Sequence, residues 1–320
     1  MKARQQRPEV RGEMNLMQLV DQFVSDAVCR DRLEGLRWPD GPACLRCESP
    51  KVVRLSGDRG VFDCYSCSYQ FTVTAGTIFH DTHLPLRKWF MAVYLLCESK
   101  KGMSSNQLKR TLNVSYKTAW YLTHRIRAAM AEVEPMPLTG TVEVDETFVG
   151  GKAKNMHKAD RARRIHGRGG VDKTTVLGAM QRGGQVRFRV EQRRTSEVLH
   201  RFVASTIDDE AEAIFTDEHT GYQGIGDENT RHETVNHSAE EWVRADVHTN
   251  TVEGVWSLFK RSIVGSYHQL SAKHMNAYLD EMAFRFNNRE NPYLFRDTLL
   301  KLIGSENLPY QELVRGSDAK

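Results

Sequence analysis

The chain lacks any hydrophobic run that is long enough to cross a bilayer. Its most apolar stretch, residues 89–97, has about half the length that a transmembrane helix needs. The first ten residues are polar and basic and contain no apolar segment of a secretory signal. Apolar residues make up 40% and charged residues 27% of the 320 positions, as in globular proteins. We therefore expect a soluble cytoplasmic protein that is long enough for two or more domains.

A strong net charge is also lacking. The formal net charge is +4 and the pI is near 8.7, so the total argues only weakly for a polyanionic partner. The distribution says more, because residues 152–173 contain eight Lys or Arg against two Asp. This segment reads as a basic loop in which Lys152, Arg163 and Arg164 are candidates for contacts to DNA phosphates. A solvated surface insertion is the alternative, and the sequence does not decide between the two.

Cysteines are few, but four of the six stand at the spacing of a metal site. Cys44 and Cys47 form one CxxC pair, and Cys64 and Cys67 form a second pair after sixteen intervening residues. At this separation each pair can form a knuckle that donates two thiolates to a tetrahedral Zn²⁺, as in a zinc ribbon. Four thiolates leave no open coordination position, so the predicted zinc site is structural.

A helical segment follows the cysteines. Residues 104–112 and 116–130 predict a short capped helix, a tight turn and a basic second helix, which is the pattern of a helix-turn-helix. On the second helix Lys117, Tyr121 and Arg125 are available for contacts to DNA. An ordinary helical hairpin is the alternative, and the position directly after a zinc ribbon favours DNA binding.

The second half of the chain has an α/β pattern. Two prolines mark a linker at residues 134–140. The segments beyond it read in the order strand, strand, strand, helix, strand, helix, which predicts a mixed sheet. A P-loop, a glycine-rich dinucleotide loop and an ordered Ser-His-Asp set are all lacking, which argues against a cofactor-dependent metabolic enzyme.

Three acidic residues stand at the ends of predicted strands and on the last helix of this half. Residues 141–149 alternate with period two, so the strand should carry Glu143 and Asp145 to its rim. A second apolar run ends at Asp217, and a helix that begins near residue 250 carries Glu253. Mg²⁺ prefers oxygen ligands, and two such ions can serve an in-line displacement at phosphorus. Asp145, Asp217 and Glu253 are therefore a candidate site for hard divalent cations, although a single acid is more often a solvated surface residue.

The last helix adds detail to this site. Asn250, Glu253, Trp256 and Lys260 are spaced to share one helix face. Asn250 is a candidate helix cap, Trp256 is expected to be a core residue, and Lys260 is placed to reach a DNA phosphate.

These residues together resemble the zinc-ribbon DDE transposases of bacterial insertion sequences, the IS1595 or ISXO2-like family. Residues 144–152 are similar to the first motif of that family, and residues 216–222 are similar to the second. Residues 248–261 resemble the third motif, with a basic residue seven positions after the acid. Thirty-five residues separate Asp217 from Glu253, which is the familiar spacing of the family. The resemblance extends from about residue 23 to residue 288.

The resemblance implies an RNase H-like catalytic domain that binds two Mg²⁺ or Mn²⁺ ions through Asp145, Asp217 and Glu253. It also implies that the protein binds double-stranded DNA at the terminal inverted repeats and hydrolyses the element ends to free 3′-hydroxyls. Those hydroxyls would then attack target DNA, with the protein as a homo-oligomer on DNA in the bacterial nucleoid. Some members of the family have Asn in the role of the third acid, so Glu253 is the expected ligand and Asn250 a supporting residue.

The linker and the resemblance together predict the domain boundaries. We expect an N-terminal helix and zinc ribbon over residues 14–80, a helix-turn-helix region over 84–133, a linker over 134–140, a catalytic domain over 141–290 and a C-terminal tail over 291–320. Two other functions are compatible with this organisation. One is a DNA-binding regulator with an inactive transposase domain, and the other is a metal-dependent nuclease that cuts without joining.

Overall fold

The computed structural model describes residues 14–151, 156–159 and 173–315. They form two compact units, of which one contains residues up to Met130 together with Asn288–Arg315 and the other contains Ala131–Asn287. In these ranges, no helix combines the length and the apolar character that crossing a membrane requires.

The cysteine-rich segment of the first unit folds around a small antiparallel sheet. An aromatic cluster forms its core, in which Trp38 packs against Phe62 and Phe71 in T-shaped pairs with centroid distances of 5.5 and 5.9 Å. Arg37 closes the segment by donating to the carbonyls of Val73 and Ala75. The three strands are β1 (Val52–Arg54), β2 (Phe62–Cys64) and β3 (Gln70–Phe71), in that order.

Helices make up most of the rest of the first unit, and three of them begin at a side-chain cap. Asn15 forms a capping box with Gln18, and the Ser25 and Ser104 hydroxyls each accept a bond from the amide three residues on. Asn113 takes a left-handed conformation with φ of 48°, which makes the turn of the predicted helix pair. The helices are α1 (Leu16–Gln22), α2 (Asp26–Arg37), α3 (Leu86–Glu98), α4 (Ser105–Leu112) and α5 (Tyr116–Met130).

The C-terminal segment differs from the predicted tail over residues 291–320. Within its described part, helix α9 (Leu294–Gly304) packs against α2, α3 and α5, and a short helix α10 (Tyr310–Arg315) follows it. Buried Leu299 and Leu302 anchor α9 in the core of the first unit. Their helical spacing places them on one face, so this segment completes a helical core of the first unit.

The second unit is built on a mixed five-stranded sheet in the order β6-β5-β4-β7-β8. Strand β4 pairs antiparallel with β5 and parallel with β7, and β8 extends the parallel part. This architecture confirms the predicted mixed α/β fold class. The strands are β4 (Thr141–Val149), β5 (Thr174–Gln181), β6 (Val186–Glu191), β7 (Ala213–Asp217) and β8 (Arg231–Val235).

The alternation of side chains along β4 gives the second unit two hydrophobic cores. Val142 and Val144 pack with Leu199 and Phe202 of helix α6 (Ser196–Thr206). A separate cluster joins residues of β5 and β6 to helix α7 (Asn250–Ser262) and helix α8 (Met275–Asn287). Helix α7 therefore belongs to the core that does not contain Val142 and Val144.

Candidate active site

Asp145 lies near the middle of β4 and is held by a tryptophan from α7. The Trp256 indole Nε1 donates to Asp145 Oδ2 at 2.9 Å. Gly178 is the register partner of Asp145 on β5, and a Cβ added there would lie 2.5 Å from the Trp256 ring. The glycine therefore leaves the space that the indole occupies. Trp256 is only 4% exposed, so the prediction that it is a core residue is confirmed, and its N–H also contacts the candidate site.

Asp217 is the last residue of β7, the parallel neighbour of β4. Its Oδ1 accepts a hydrogen bond from the His219 amide at 3.0 Å, which fixes the carboxylate at the turn after the strand. Because β7 runs parallel to β4 with Phe215 opposite Glu143, the same register continued by two residues brings the end of β7 level with Asp145.

Glu253 lies in the first turn of α7 and is the most exposed of the three acids. Its side chain is 45% exposed, and its Oε1 lies 3.6 Å from His237 Nε2. The Thr249 hydroxyl, one turn earlier, donates to the same oxygen at 3.3 Å. One hydrogen bond, from Thr249, thus orients a carboxylate that is otherwise open to solvent.

All three acids line one cleft of about 620 Å³. Trp256 and Lys260 of α7 line it together with Glu253, which confirms the predicted helix face for these three positions, whereas Asn250 is not among the lining residues. Arg261 lines the cleft in addition. The structure therefore brings Asp145, Asp217 and Glu253 into one cleft. Their role as metal ligands stays a prediction.

The electrostatics of the cleft disfavour negative charge in the absence of a cation. Burial raises the pKa of Asp145 to about 7, and the neighbouring charges of Glu146 and Asp217 act in the same direction. Burial also raises the pKa of Asp217, against the hydrogen bond from the His219 amide. A hard divalent cation prefers oxygen ligands, and its positive charge would stabilise the ionised forms of Asp145 and Asp217. The residues present therefore fit such an ion.

Glu146 is a further acid of this cleft, and no role was predicted for it from the sequence. Its side chain is 3% exposed and forms an ion pair with Arg194. Its second oxygen accepts from the Tyr222 hydroxyl at 2.8 Å. Burial, with Glu146 next in importance, raises the pKa of Tyr222 well above its usual value, so the phenol stays a donor.

His237, which lies beside the third acid, is itself held by Glu218. The Glu218 carboxylate accepts from the His237 and Ser238 amides at 3.0 and 3.2 Å and from the Ser238 hydroxyl at 2.5 Å. The Ser238 hydrogen bond is the main reason that the pKa of Glu218 falls to about 2. Glu218 follows Asp217 directly in the chain. Asp217 is thus a candidate ligand, and the next residue holds His237, which lies beside Glu253.

The start of α7 is not capped by Asn250, which corrects that prediction. Asn250 is the first residue of the helix, and Thr249 occupies the cap position without a side-chain cap bond. The amides of Thr251 and Val252 donate instead to Glu143 of β4. Glu143 was expected at the strand rim, but its side chain is fully buried.

The four paired cysteines form a second, separate cluster. Their sulfur atoms all lie within 4.8 Å of one another, and the Cys44–Cys67 and Cys47–Cys64 pairs are each 3.6 Å apart. Tetrahedral Zn–S bonds of 2.3 Å require sulfur separations of about 3.8 Å. The cluster therefore fits a structural zinc ion and confirms the prediction of a zinc ribbon. In the described part of the chain, no group of His, Asp or Glu side chains converges as closely as these thiols.

The predicted DNA-contacting residues of α5 are placed differently from one another. Lys117 is exposed at the start of the helix, whereas Tyr121 is half-buried and its hydroxyl donates to the Leu308 carbonyl at 2.7 Å. Both stay predictions, as does exposed Lys260 at the cleft. Lys152, Arg163 and Arg164 lie outside the described residues.

Arg125 does not fit its predicted contact to DNA. It is 3% exposed, and its guanidinium donates to the His80 carbonyl at 3.0 Å and to Asn307 Oδ1 at 3.2 Å. The prediction for Arg125 is therefore wrong, because a side chain buried among its own hydrogen-bond acceptors cannot reach a phosphate. Its helical position gave no signal of this burial, since Asn307 lies far along the chain.

Comparisons with known proteins give a family match in each half of the chain. Residues 137–287 match the family described as the ISXO2-like transposase domain, and residues 24–70 match the transposase zinc-ribbon domain. An uncharacterised protein in the transposable element ISH50 of Halobacterium salinarum is 30% identical over 279 residues, which cover 84% of this chain and 93% of that protein.

One chain in the cryo-EM structure of the simian T-cell lymphotropic virus intasome in complex with PP2A regulatory subunit B56 gamma is also similar. The identity is 14% and the TM-score 0.27, and the match covers 56% of this chain and 63% of that chain, less than two thirds of its length. A similarity at this level carries no argument about fold or function.

Proposed function

The chain belongs to the ISXO2-like transposase family, and we propose that it catalyses transposition of an insertion sequence. In this proposal the protein binds the terminal inverted repeats, cleaves the element ends by metal-dependent hydrolysis and joins the 3′-hydroxyl ends to target DNA. The observation that carries the proposal is the meeting of Asp145, Asp217 and Glu253 in one cleft, from a strand, a strand end and a helix.

Asp145, Asp217 and Glu253 would hold Mg²⁺ or Mn²⁺. When bound, two such ions supply activation of the attacking oxygen and stabilisation of the leaving oxygen at phosphorus. The chain itself orients the ligands. Trp256 fixes Asp145 by its indole N–H, and the amide of His219 fixes Asp217.

The basic residues of α7 would bind DNA at the same cleft. Lys260 and Arg261 line it two turns after Glu253, on the side of the helix that carries the acid. A phosphodiester entering between them and the acids would meet positive charge at the rim and carboxylates inside. We propose that Lys260 positions the DNA backbone, a contact that adds affinity without sequence specificity.

The first unit would recognise the element ends. Zinc ribbon and helix pair lie within this one unit, and exposed Lys117 stands at the first turn of α5, where a recognition helix contacts base edges. Tyr121, Lys152, Arg163 and Arg164 are further candidates for DNA contacts. We propose that the protein acts as a homo-oligomer, since two element ends are joined to one target.

A strand-transfer assay tests this function. A labelled element-end duplex is incubated with plasmid, Mg²⁺ and zinc-loaded protein, with wild type beside Asp145→Ala, Asp217→Ala and Glu253→Ala. Glu233→Ala is the matched control, because Glu233 lies on β8 and pairs with Arg231 and Arg244 outside the cleft. Joining by wild type and the control, with loss in the three variants, is the expected result.

Other outcomes would identify a different function. Cleavage of the ends without joining would indicate a nuclease. Specific binding to the ends with neither reaction would indicate a regulator with an inactive domain. Full joining by Glu253→Ala would remove Glu253 from the ligand set and move the third ligand to Asn250 or to another residue.

A further inference from the structure

Glu143 is a fully buried carboxylate that lies two residues before Asp145 on β4. Its side chain is 0% exposed. A buried charge is costly unless it is paired and hydrogen-bonded, so the partners of such a group show what the fold gains from it. Here the partners are the first turn of α7, Arg182 after β5, and His248, whose Nδ1 lies 3.2 Å from Glu143 Oε1.

The first set of partners is the N-terminal turn of α7. Glu143 Oε2 accepts from the Thr251 amide at 2.7 Å and from the Val252 amide at 3.0 Å, and Oε1 accepts from the Thr251 hydroxyl at 2.8 Å. The first amides of a helix have no partner within it, and a negative charge there is favoured by the helix dipole. Glu143 thus caps from a distant strand a helix whose local cap residue makes no side-chain cap bond.

The second partner is Arg182, directly after β5. Its Nε donates to Glu143 Oε1 at 2.7 Å. Its two terminal nitrogens donate to the carbonyls of Asp246 and His248 at 2.7 and 2.9 Å, in the loop that leads into α7. Arg182 therefore ties that loop to the same carboxylate that caps the helix.

These contacts fix two of the candidate ligands relative to each other. Glu143 and Asp145 lie on one face of β4, about 6.7 Å apart along the strand. Thr251 and Glu253 lie in one turn of α7. A bond network between Glu143 and Thr251 therefore sets the distance between the strand that carries Asp145 and the turn that carries Glu253.

We propose that Glu143 is a positioning residue that holds Glu253 opposite Asp145 by capping α7 from β4, with Arg182 as its counter-ion. The inference rests on the proposed function for the role of the two ligands. Glu143 itself contacts neither substrate nor metal in this account.

The test uses full-length zinc-loaded protein and two measurements that need no DNA. Hydrogen exchange reports the Thr251 and Val252 amides, and electron paramagnetic resonance of free Mn²⁺ reports Mn²⁺ binding. Glu143→Gln keeps the shape and removes the charge, and Glu143→Gln combined with Arg182→Gln also removes the charge of the arginine partner. Arg189→Gln is the control, because Arg189 lies on β6 of the same sheet and bonds Ser205 of α6, which packs on the other core.

Both Glu143 variants are expected to exchange the two amides faster and to bind Mn²⁺ about tenfold more weakly, the lower end of the effect of outer-shell changes. The control should match wild type in both measurements. If Glu143→Gln does not fold, the paired variant decides the matter by the same two measurements.

Unchanged exchange would overturn the proposal, since the cap would not depend on Glu143. Faster exchange with wild-type Mn²⁺ binding would also overturn it, because the residue would then be a helix cap alone. Mn²⁺ binding that depends on Glu143 in a protein that never joins DNA would support this inference and refute the proposed function.

Discussion

The zinc ribbon and the carboxylate cleft are two candidate metal sites of opposite construction. In the ribbon, two pairs of cysteines bring four sulfur atoms within 4.8 Å of one another. In the cleft, three acids come from elements that are far apart in sequence, and each has its own neighbour to hold it. Trp256 holds Asp145, the His219 amide holds Asp217, and Thr249 holds Glu253.

The difference follows from what each site has to do. A closed set of four thiolates needs only a short local motif, because its ion stays in place and contacts no substrate. The acids of an open site repel one another and must leave room for a phosphate, so the fold supplies their geometry. The ribbon should therefore depend on its metal for folding, whereas the second unit should fold without a cation and change its stability modestly when one binds.

Removal of zinc should have the largest effect. Cys64→Ser, or chelation of wild type, is expected to unfold the ribbon, since structural zinc contributes roughly 10 kcal/mol or more to such small modules. Hydrogen exchange of residues 44–71 measures this, with peptides from β4 and β5 as the internal control. If the ribbon amides stay protected from exchange without zinc, the claim that the ribbon depends on its metal for folding is wrong.

Crowding of the packing beside Asp145 should have the next largest effect. A Cβ at Gly178 would overlap the Trp256 ring, so Gly178→Ala should destabilise the second unit by about 1–3 kcal/mol. It should also displace the indole N–H from Asp145 and weaken Mn²⁺ binding. Thermal unfolding and Mn²⁺ titration measure the two effects, with Gly254→Ala as control, because a Cβ there meets nothing within 4 Å. Equal results for both variants would contradict the packing argument.

The charge of Asp145 should destabilise the protein when no divalent cation is bound. Because the pKa is raised from 3.8 to about 7 in the folded state, the folded state binds the extra proton, and stability is lost as pH rises between these values. Asp145→Asn should therefore be more stable than wild type by about 2 kcal/mol at pH 8, half the full value since the carboxylate is partly accessible.

Thermal unfolding without divalent cations, at pH 5 and pH 8, checks this prediction. The advantage of Asp145→Asn should be smaller at pH 5, and Mg²⁺ should stabilise wild type but not the variant at pH 8. An equal stability advantage of Asp145→Asn at both pH values would show that folding does not raise the pKa of Asp145.

Loss of the Lys260 charge should have the smallest effect. Lys260→Gln is expected to weaken DNA binding a few-fold and to lower the slope of log affinity against log salt by about 1, as for one phosphate contact. Arg201→Gln is the control, because Arg201 is exposed on α6, which packs against the other core. Salt-dependent fluorescence anisotropy measures both, and equal slopes would place Lys260 outside the DNA path.

The sequence predicts those features whose cause is local. Two CxxC pairs define the ribbon, and period-two alternation gives β4 with Asp145 on it. The apolar run that ends at Asp217 likewise predicts β7. Helix α7 follows from its spacing of Glu253, Trp256 and Lys260. In each case the residues that determine the feature are neighbours in the chain.

Features that depend on distant partners were missed or misread. Glu143 and Asp145 are two residues apart and lie on the same face of β4. Glu143 is nevertheless fully buried, because Arg182 and the first turn of α7 satisfy its charge. Strand β8 has a polar sequence, and its pairing with β7 rather than its own pattern makes it a strand. The burial of Arg125 depends on Asn307, so the local pattern of α5 could not reveal it.

The most direct test of the account is joining of a pre-cut 3′-hydroxyl end to plasmid by zinc-loaded protein, first without and then with Mg²⁺. We expect no product before Mg²⁺ is added, joining afterwards, and no joining at any Mg²⁺ concentration by Asp217→Asn with its zinc retained. Joining by the zinc-loaded protein without Mg²⁺, or full joining by Asp217→Asn, would contradict the claim that the ribbon zinc is structural and that the cleft binds the metal required for joining.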